Sequence, residues 1–215
     1  MELYVITDER LIAREMFTVQ VEHALCGGAR WVQFREKHSS REERKRLGTE
    51  LRTACDRYGA KLIVNDSPVL AKEIGADGVH LGKGDPSVEA ARMLLGDEAI
   101  VGISCYNDLS LALEAERQGA DYAAFGSFFP SQVKPGAVHA PLELLSKAKA
   151  ALKIPVCCIG GIAPANVREL AVRGADMIAV CGAVFSMNDP QAAAEEFRKV
   201  IESCSTTELK DSLSV

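Results

Sequence analysis

Short apolar runs alternate with longer amphipathic segments along most of the chain. Eight runs are rich in β-branched and aromatic residues and have the length of strands. They predict strands at 3–7, 30–36, 61–66, 78–82, 99–104, 122–129, 155–161 and 177–184. The segments between and after them predict helices at 15–27, 40–58, 67–75, 86–95, 108–118, 141–152, 164–173 and 189–204. Glycines at 59, 75, 119 and 174 stand where four of these helices should end.

Eight consecutive strand–helix units predict an α/β fold, a single (β/α)8 TIM barrel over residues 1–204. An open doubly wound sheet is the alternative, but similarly spaced units favour closure. Gly-Ala-Asp or Gly-Ala-Arg recurs before four of the strands, from Gly28, Gly75, Gly119 and Gly174, which indicates equivalent turns. The polar tail 205–215 contains no strand, and we expect it to fray.

Composition excludes some classes of partner. The 215 residues are 47% hydrophobic and 26% charged, as in an ordinary globular protein with a sizeable core. The formal net charge of -5 argues against a nucleic-acid partner or an anionic membrane partner. Any anion that the chain binds must therefore be held by a local cluster of cations.

The seven cysteines indicate a reducing compartment. None forms a CxxC pair, most lie in apolar runs, and no Cys/His spacing fits zinc. The N-terminal MELYVITDER lacks the regions of a signal peptide, and no apolar run approaches about 18 residues. We expect a cytoplasmic protein.

Polar residues at the carboxyl ends of the strands are the candidates for chemistry, because barrel active sites are built there. The residues that meet this criterion are Gln33, Arg35, Lys37, Asn65, Asp66, His80, Asp85, Ser104, Lys134, Gly160 and Gly161.

The second strand, WVQFREK, places Gln33, Arg35 and Lys37 two residues apart. Strand side chains alternate between faces, so the pattern predicts that all three point the same way and bind an anion. The alternative is that Arg35 and Lys37 pair with Glu36 or with the acidic helix that follows.

Two carboxylates follow the next two strands. Asp66 ends IVND and Asp85 stands in HLGKGDP, and together they predict a site for a hard cation such as Mg²⁺ shared with substrate phosphates. The alternative makes Asp66 the N-cap of the next helix and Asp85 a turn residue before Pro86.

Glycines after the last two strands predict a second, backbone-made phosphate site, as in many barrels. The loop at about 130–140 is long enough to be a lid, and Lys134 would either close over a leaving group or remain solvated. A nucleophilic role for Cys105 is not favoured, since no paired histidine is evident.

The motifs LYVITD, QFREK, IVND, ADGVHLGKGD, GIS, ADYAAFGSFFPSQVK, IGGI and IAVCGAVF occur in an order that resembles the thiamine-phosphate synthase family over nearly the whole chain. The resemblance implies that a hydroxymethylpyrimidine diphosphate joins a thiazole phosphate, giving thiamine phosphate and pyrophosphate. It implies a dissociative mechanism in which pyrophosphate leaves first. Arg35, Lys37, Lys134 and Mg²⁺ would stabilise its charge.

The resemblance also assigns residues, each at the position that matches a family motif. The pyrimidine diphosphate would be bound by Gln33, Phe34, Arg35, Glu36, Lys37, Asn65, Ser104 and Lys134. Mg²⁺ would be held by Asp66 and Asp85. The thiazole phosphate would be bound by Ser131, Gln132, Val133, Gly161, Val180 and Cys181. The implied catalytic set is Arg35, Lys37, Ser104 and Lys134.

The chain departs from the family pattern on the thiazole side. Where the family usually has PTxTK, this chain has PSQVK, so that Val133 lacks a hydroxyl. A serine usually stands near Cys181, and a histidine often stands at the position of Tyr106. The diphosphate side is intact.

Two other functions compete with synthesis. A related thiazole tautomerase shares the barrel, but such relatives tend to lose the Asn-Asp pair and the lysine that Asn65, Asp66 and Lys37 supply here. A non-catalytic sensor of a phosphorylated ligand would not need a complete set of cations and metal ligands. The sequence leaves open whether the chain forms a homo-oligomer.

Overall fold

The computed structural model describes residues 1–130 and 136–211, with side chains described as far as residue 204. Its strands are β1 Glu2–Ile6, β2 Trp31–Phe34, β3 Lys61–Asn65, β4 Gly78–Leu81, β5 Ile100–Tyr106, β6 Tyr122–Phe125, β7 Val156–Ile159 and β8 Met177–Val180. Its α-helices are α1 Phe17–Cys26, α2 Arg41–Tyr58, α3 Pro68–Ile74, α4 Val88–Leu95, α5 Leu109–Arg117, α6 Leu142–Ala151, α7 Val167–Ala171, α8 Gly182–Phe185 and α9 Pro190–Asp211. Short 3-10 helices at Arg14–Met16 and Pro164–Asn166 precede α1 and α7.

The strands close into a parallel barrel in chain order, from β1 to β8. Closure is made by β1 against β8, with Tyr4 opposite Ala179 and Val5 opposite Val180. The predicted (β/α)8 barrel is therefore confirmed, and the alternative of an open sheet is wrong. Among the described residues, no helix combines the length and the apolarity that a membrane crossing needs.

Alternation along each strand divides the buried residues into two cores. One core lies between the sheet and the helices, and Val32, Phe34 and Val180 belong to it. The other fills the barrel interior, and Tyr4 and Tyr122 are among its largest side chains. Because the interior residues come from alternate strand positions, a residue's place in its strand decides whether it reaches the barrel axis.

The Gly-Ala-Asp turns share one bonding pattern, which explains their recurrence. In each turn, the aspartate that comes just before a strand accepts a hydrogen bond from a backbone N–H of the preceding strand. The pairs are Asp77 with Leu62 at 2.8 Å, Asp121 with Val101 at 2.6 Å and Asp176 with Val156 at 2.7 Å. Each carboxylate also meets a cation, so the turns tie neighbouring strands together at the end of the barrel where the strands begin.

Most strands end earlier than their sequences predict, and β2, β6 and β8 illustrate why. β2 ends at Phe34, and β6 ends at Phe125, after which Ser127 exchanges backbone hydrogen bonds with Val138 and Ala140 in its own loop. β8 ends at Val180, and the apolar residues that follow form the four-residue helix α8 instead. In a closed barrel the register with both neighbours limits a strand, so apolar character alone does not set its length.

The last helix is longer than expected. α9 continues to Asp211 instead of ending near residue 204, so the backbone of 205–211 is helical, and fraying of the tail stays a prediction. No glycine or proline interrupts the sequence there, and nothing else in it stops a helix.

Candidate functional site

The polar residues of the second-strand motif separate at the end of β2. Gln33 lies inside the barrel and is 4% exposed, with its amide nitrogen 3.0 Å from the Tyr4 hydroxyl. Arg35 and Lys37 lie beyond the strand, which ends at Phe34. Strand geometry therefore applies only to Gln33 among the three, and a shared direction for their side chains stays a prediction. Arg35 and Lys37 reach the mouth of the barrel from the loop.

Lys37 extends to the carboxylates that follow β3 and β4. Its Nζ is 3.1 Å from Oδ2 of Asp66. Asp85 is close enough to Asp66 for the two side chains to interact, and its Oδ2 accepts a hydrogen bond from the Gly82 N–H at 2.7 Å. The structure thus brings one predicted cation and both predicted metal ligands together.

Electrostatics at this cluster reflect two neighbouring carboxylates. Burial and the proximity of Asp66 raise the pKa of Asp85, and the Lys37 ammonium opposes that shift. A divalent cation between the carboxylates would relieve their repulsion. Within the described residues, three or more His, Cys, Asp or Glu side chains do not gather at any point as metal ligands. Two carboxylates nevertheless suit Mg²⁺, which commonly takes one or two from the protein and the rest from phosphates and water.

The alternative role for Asp66 as a helix cap is wrong. Ser67 is the N-cap of α3, and its hydroxyl accepts the Leu70 N–H at 3.2 Å. Asp66 instead has a left-handed backbone (φ 63°), and its N–H donates to the carbonyl oxygen of His80 at 2.8 Å. Positive φ is uncommon for residues other than glycine, although aspartate tolerates it better than most, and here it accompanies the ion pair with Lys37.

Arg35 belongs to a second cluster, built on an aspartate that the sequence reasoning missed. Asp8 follows β1 and is 1% exposed, yet it is charged. Its carboxylate accepts from Arg10 at 2.6 and 2.9 Å and lies 3.5 Å from Arg35. The Arg10 hydrogen bond, assisted by the charge of Arg35, lowers the pKa of Asp8. Asp8 stands directly after the predicted strand 3–7, so the criterion of polar residues at strand ends would have found it.

Cys181 lies beside this cluster at the end of β8 and packs against the interior core. Burial raises the pKa of its thiol to about 12; the charge of Asp8 raises it slightly further, and the charge of Arg35 lowers it slightly. A group from the predicted thiazole side therefore adjoins a cation from the predicted diphosphate side.

A chain of hydrogen bonds crosses the barrel interior and ends at Ser104. The Tyr4 hydroxyl lies 3.1 Å from that of Tyr122, which lies 2.8 Å from Nδ1 of His80. Nε2 of His80 is 2.8 Å from the Ser104 hydroxyl. Burial lowers the pKa of His80 to about 4, so its imidazole is neutral at physiological pH. Asn65 stands opposite His80 in the β3–β4 register and completes this wall.

Tyr106 covers the loop that carries Asp85. Its backbone is left-handed (φ 54°), and its hydroxyl accepts the Lys83 N–H at 3.2 Å. A Cβ placed on Gly82 would lie 3.5 Å from this hydroxyl, so the ring stands against the β4 loop. The residue that departs from the family pattern is thus part of the rim of the site.

The glycines after β7 pack closely against the loop that follows β6. A Cβ on Gly160 would lie 2.0 Å from the Ser127 hydroxyl, and one on Gly161 would lie 2.3 Å from the Pro130 carbonyl oxygen. Both glycines also have positive φ. Close packing therefore requires glycine at both positions. It brings Gly161 against Pro130, the residue before Ser131.

Some residues named from the sequence do not present side chains to the site. Phe34 packs outwards against Phe17, and Val180 belongs to the same outer core, so only their backbones could contact a ligand. Glu36 accepts the N–H groups of His38 and Ser39 and holds the turn after β2. Ser131, Gln132, Val133 and Lys134 lie outside the described residues.

A family model, individual relatives and a solved structure match this chain to the same kind of protein. The sequence model of a family described as thiamine monophosphate synthase matches residues 3–184. A thiamine-phosphate synthase of Thioalkalivibrio sulfidiphilus is 46% identical over 200 residues, covering 93% of this chain and 95% of that protein. One from Methylococcus capsulatus is 50% identical over 194 residues, covering 90% and 86%. The solved structure of a thiamine phosphate pyrophosphorylase from Pyrococcus furiosus superimposes with a TM-score of 0.85 at 41% identity, covering 94% and 96%.

Proposed function

This chain belongs to the thiamine monophosphate synthase family, and we propose that it joins hydroxymethylpyrimidine diphosphate to a thiazole phosphate, giving thiamine phosphate and releasing pyrophosphate. As a member of this family it is an enzyme of the transferase class. Its substrates are then two small phosphorylated molecules. We further propose that it acts in the cytoplasm as one catalytic barrel.

One observation carries the proposal: the ion pair of Lys37 with Asp66 stands beside Asp85 at the ends of three neighbouring strands. A departing pyrophosphate needs both cations and metal ligands, and this cluster offers both. Arg35 stands on the same loop as Lys37, held by Asp8, and its planar guanidinium suits bidentate contact with phosphate oxygens. A sensor of a phosphorylated ligand would have no need of such an arrangement.

Mg²⁺ fits the donor set of this cluster, and Asp66 and Asp85 would hold it. When bound, the ion would neutralise charge on the pyrophosphate leaving group. Lys37 then has two roles, since it pairs with Asp66 in the free protein and is placed to contact phosphate oxygens when the substrate binds. Gly82 supports the site by fixing Asp85 through its backbone N–H.

A dissociative reaction suits the remaining residues. His80 is neutral and both of its ring nitrogens already have hydroxyl partners, so it is not placed to act as a general base. Departure of pyrophosphate from the pyrimidine requires stabilisation of charge and little proton transfer. Ser104, at the barrel mouth, would donate a hydrogen bond to the diphosphate, while Gln33 and Asn65 would bind the pyrimidine ring.

The thiazole phosphate would bind across the ends of β7 and β8. Gly161 and the backbone at Val180 and Cys181 would form its floor, and the family resemblance would add Ser131, Gln132 and Val133, which lie outside the described residues. The position of Cys181 beside Asp8 and Arg35 supports a short distance between the two substrates. Holding both substrates in one mouth supplies the proximity that a joining reaction needs.

The proposal is tested by incubating the protein with both substrates and Mg²⁺ and following thiamine phosphate and pyrophosphate. We expect equal amounts of both products, and neither product when one substrate is omitted. Isomerisation of the thiazole alone, without coupling, would identify a tautomerase. Binding without any turnover would identify a sensor. Either of these results would overturn the proposed synthase activity.

A further inference from the structure

Five side chains from five strands form a continuous hydrogen-bonded relay inside the barrel. It runs from Gln33 on β2 through Tyr4 on β1 and Tyr122 on β6 to His80 on β4 and Ser104 on β5. The side chains of the first four members are at most 8% exposed. Their polar atoms therefore bond to one another rather than to water. The relay therefore connects the barrel interior with a hydroxyl at the site.

The direction of the relay follows from which atoms can donate. The amide nitrogen of Gln33 can only donate, so the Tyr4 oxygen accepts from it. Among the described residues, the Tyr4 hydrogen then has one remaining acceptor, the Tyr122 oxygen. A buried hydroxyl hydrogen left without an acceptor would cost free energy, so Tyr4 donates to Tyr122.

The same reasoning fixes the tautomer of His80. The Tyr122 oxygen accepts from Tyr4, so its own hydrogen goes to Nδ1 of His80. A neutral imidazole that accepts at Nδ1 carries its proton on Nε2. Nε2 therefore donates to the Ser104 oxygen, and the Ser104 hydrogen is left for another acceptor.

We propose that Tyr4, Tyr122 and His80 are positioning residues that fix Ser104 as a hydrogen-bond donor to the diphosphate of the substrate. Reversal of the relay would make Ser104 donate to His80 and point its lone pairs at an anion, which would repel the anion. The proposal rests on the proposed synthase function for the identity of that anion. The tautomer itself does not depend on the function.

The stacking of the His80 and Tyr122 rings makes the relay rigid. Their centroids are 5.5 Å apart at an interplanar angle of 24°. Tyr122 in turn contacts the edges of Tyr4 and Trp31, with centroids 6.2 and 6.0 Å away. The hydroxyls thus hold their positions before the substrate arrives, as electrostatic preorganisation requires.

The first test is nitrogen NMR of the free wild-type protein, labelled at its four histidines, at neutral pH. Loss of one set of signals in His80→Gln assigns His80. We expect the proton of His80 on Nε2 and a bare nitrogen at Nδ1. A proton on Nδ1, or on both nitrogens, would overturn the proposal whether or not the protein has synthase activity.

The second test is a double-mutant cycle on the rate of coupling. Tyr122→Phe removes the donor to Nδ1 and should lower kcat by about tenfold, with little change in KM. Ser104→Ala should lower kcat by at least as much. If Tyr122 acts through Ser104, the double variant will be no slower than Ser104→Ala alone.

The matched control is Tyr58→Phe, the same loss of a hydroxyl at a residue that packs against the outer core. It should keep the wild-type kcat and melting temperature. Multiplicative effects of Tyr122→Phe and Ser104→Ala would contradict the relay, because they would show that Tyr122 acts independently of Ser104. A wild-type protein without coupling activity would instead contradict the proposed function, and the tautomer would still decide the relay.

Discussion

Lys37 and Asp66 form an ion pair of 3.1 Å that joins the loop after β2 to the end of β3. Asp66 has a left-handed backbone in this contact, and the cap of α3 is the next residue, Ser67. Lys37 and Asp66 are both partly exposed, so the pair contributes little to stability. The pair is therefore better explained by a role in ligand binding than by a role in stability.

Replacement of Lys37 separates these two explanations. We expect Lys37→Met to lower kcat by about 100-fold, because one cation facing the leaving group is lost, while the melting temperature stays within error. Steady-state release of pyrophosphate and a thermal melt measure the two effects. Lys45→Met, at an exposed site on α2, is the matched control and should leave both unchanged. A large loss of stability with a normal rate would indicate a structural role for Lys37.

The Gly-Ala-Asp turns predict a pH-dependent contribution to stability. Burial opposes the charge of Asp77, but the Leu62 N–H and the Arg52 and Lys61 cations outweigh it, and the pKa falls below its ordinary 3.8. A lowered native pKa stabilises the fold above the unfolded pKa, and that stabilisation is lost as pH falls through the native value. Asp77→Asn should therefore lower the free energy of unfolding at neutral pH by about 2 kcal/mol.

Urea denaturation at a series of pH values measures this effect. The difference between the wild type and Asp77→Asn should be constant from neutral pH to about pH 5 and shrink below about pH 4. Asp97→Asn, at an exposed turn, should follow the wild type throughout. A difference that persisted unchanged in acid would rule out the charge of Asp77 as its origin.

The cysteines should differ sharply in reactivity. Burial raises the pKa of Cys181 to about 12, so almost none of it is thiolate at about pH 8, whereas Cys26 is exposed. Brief treatment of the native protein with iodoacetamide, followed by mass spectrometry, should show modification of Cys26 and little of Cys181. Denatured protein provides the control in which both react. Equal rates in the native protein would mean that Arg10 and Arg35 activate Cys181.

The sequence predicted the barrel because each buried parallel strand is a short apolar run, and each run is followed by an amphipathic helix. It also predicted that Asp66 and Asp85 lie together at the barrel mouth, since each follows an apolar strand; their role as metal ligands stays a prediction. These are local signals. They do not require knowledge of which strands are neighbours across the barrel.

Long-range geometry accounts for what the sequence did not reveal. The ladder ends at Phe34 because of its register with neighbouring strands, although alternation continues through Lys37. The hydroxyls of Tyr4 and Tyr122 meet although the residues are 118 positions apart, and both had the pattern of ordinary core aromatics. The role of Asp8 depends on Arg35, which arrives from another strand end.

The most direct test of the site is a titration of Mg²⁺ against the rate of pyrophosphate release in Asp66→Asn and in Asp97→Asn. We expect Asp97→Asn to match the wild type in both rate and half-saturating Mg²⁺. Asp66→Asn should be slower by about 100-fold and require more Mg²⁺, because it loses one of two carboxylate ligands. If Asp66→Asn kept the wild-type rate and the wild-type dependence on Mg²⁺, the leaving group would not depart from the cluster of Lys37, Asp66 and Asp85.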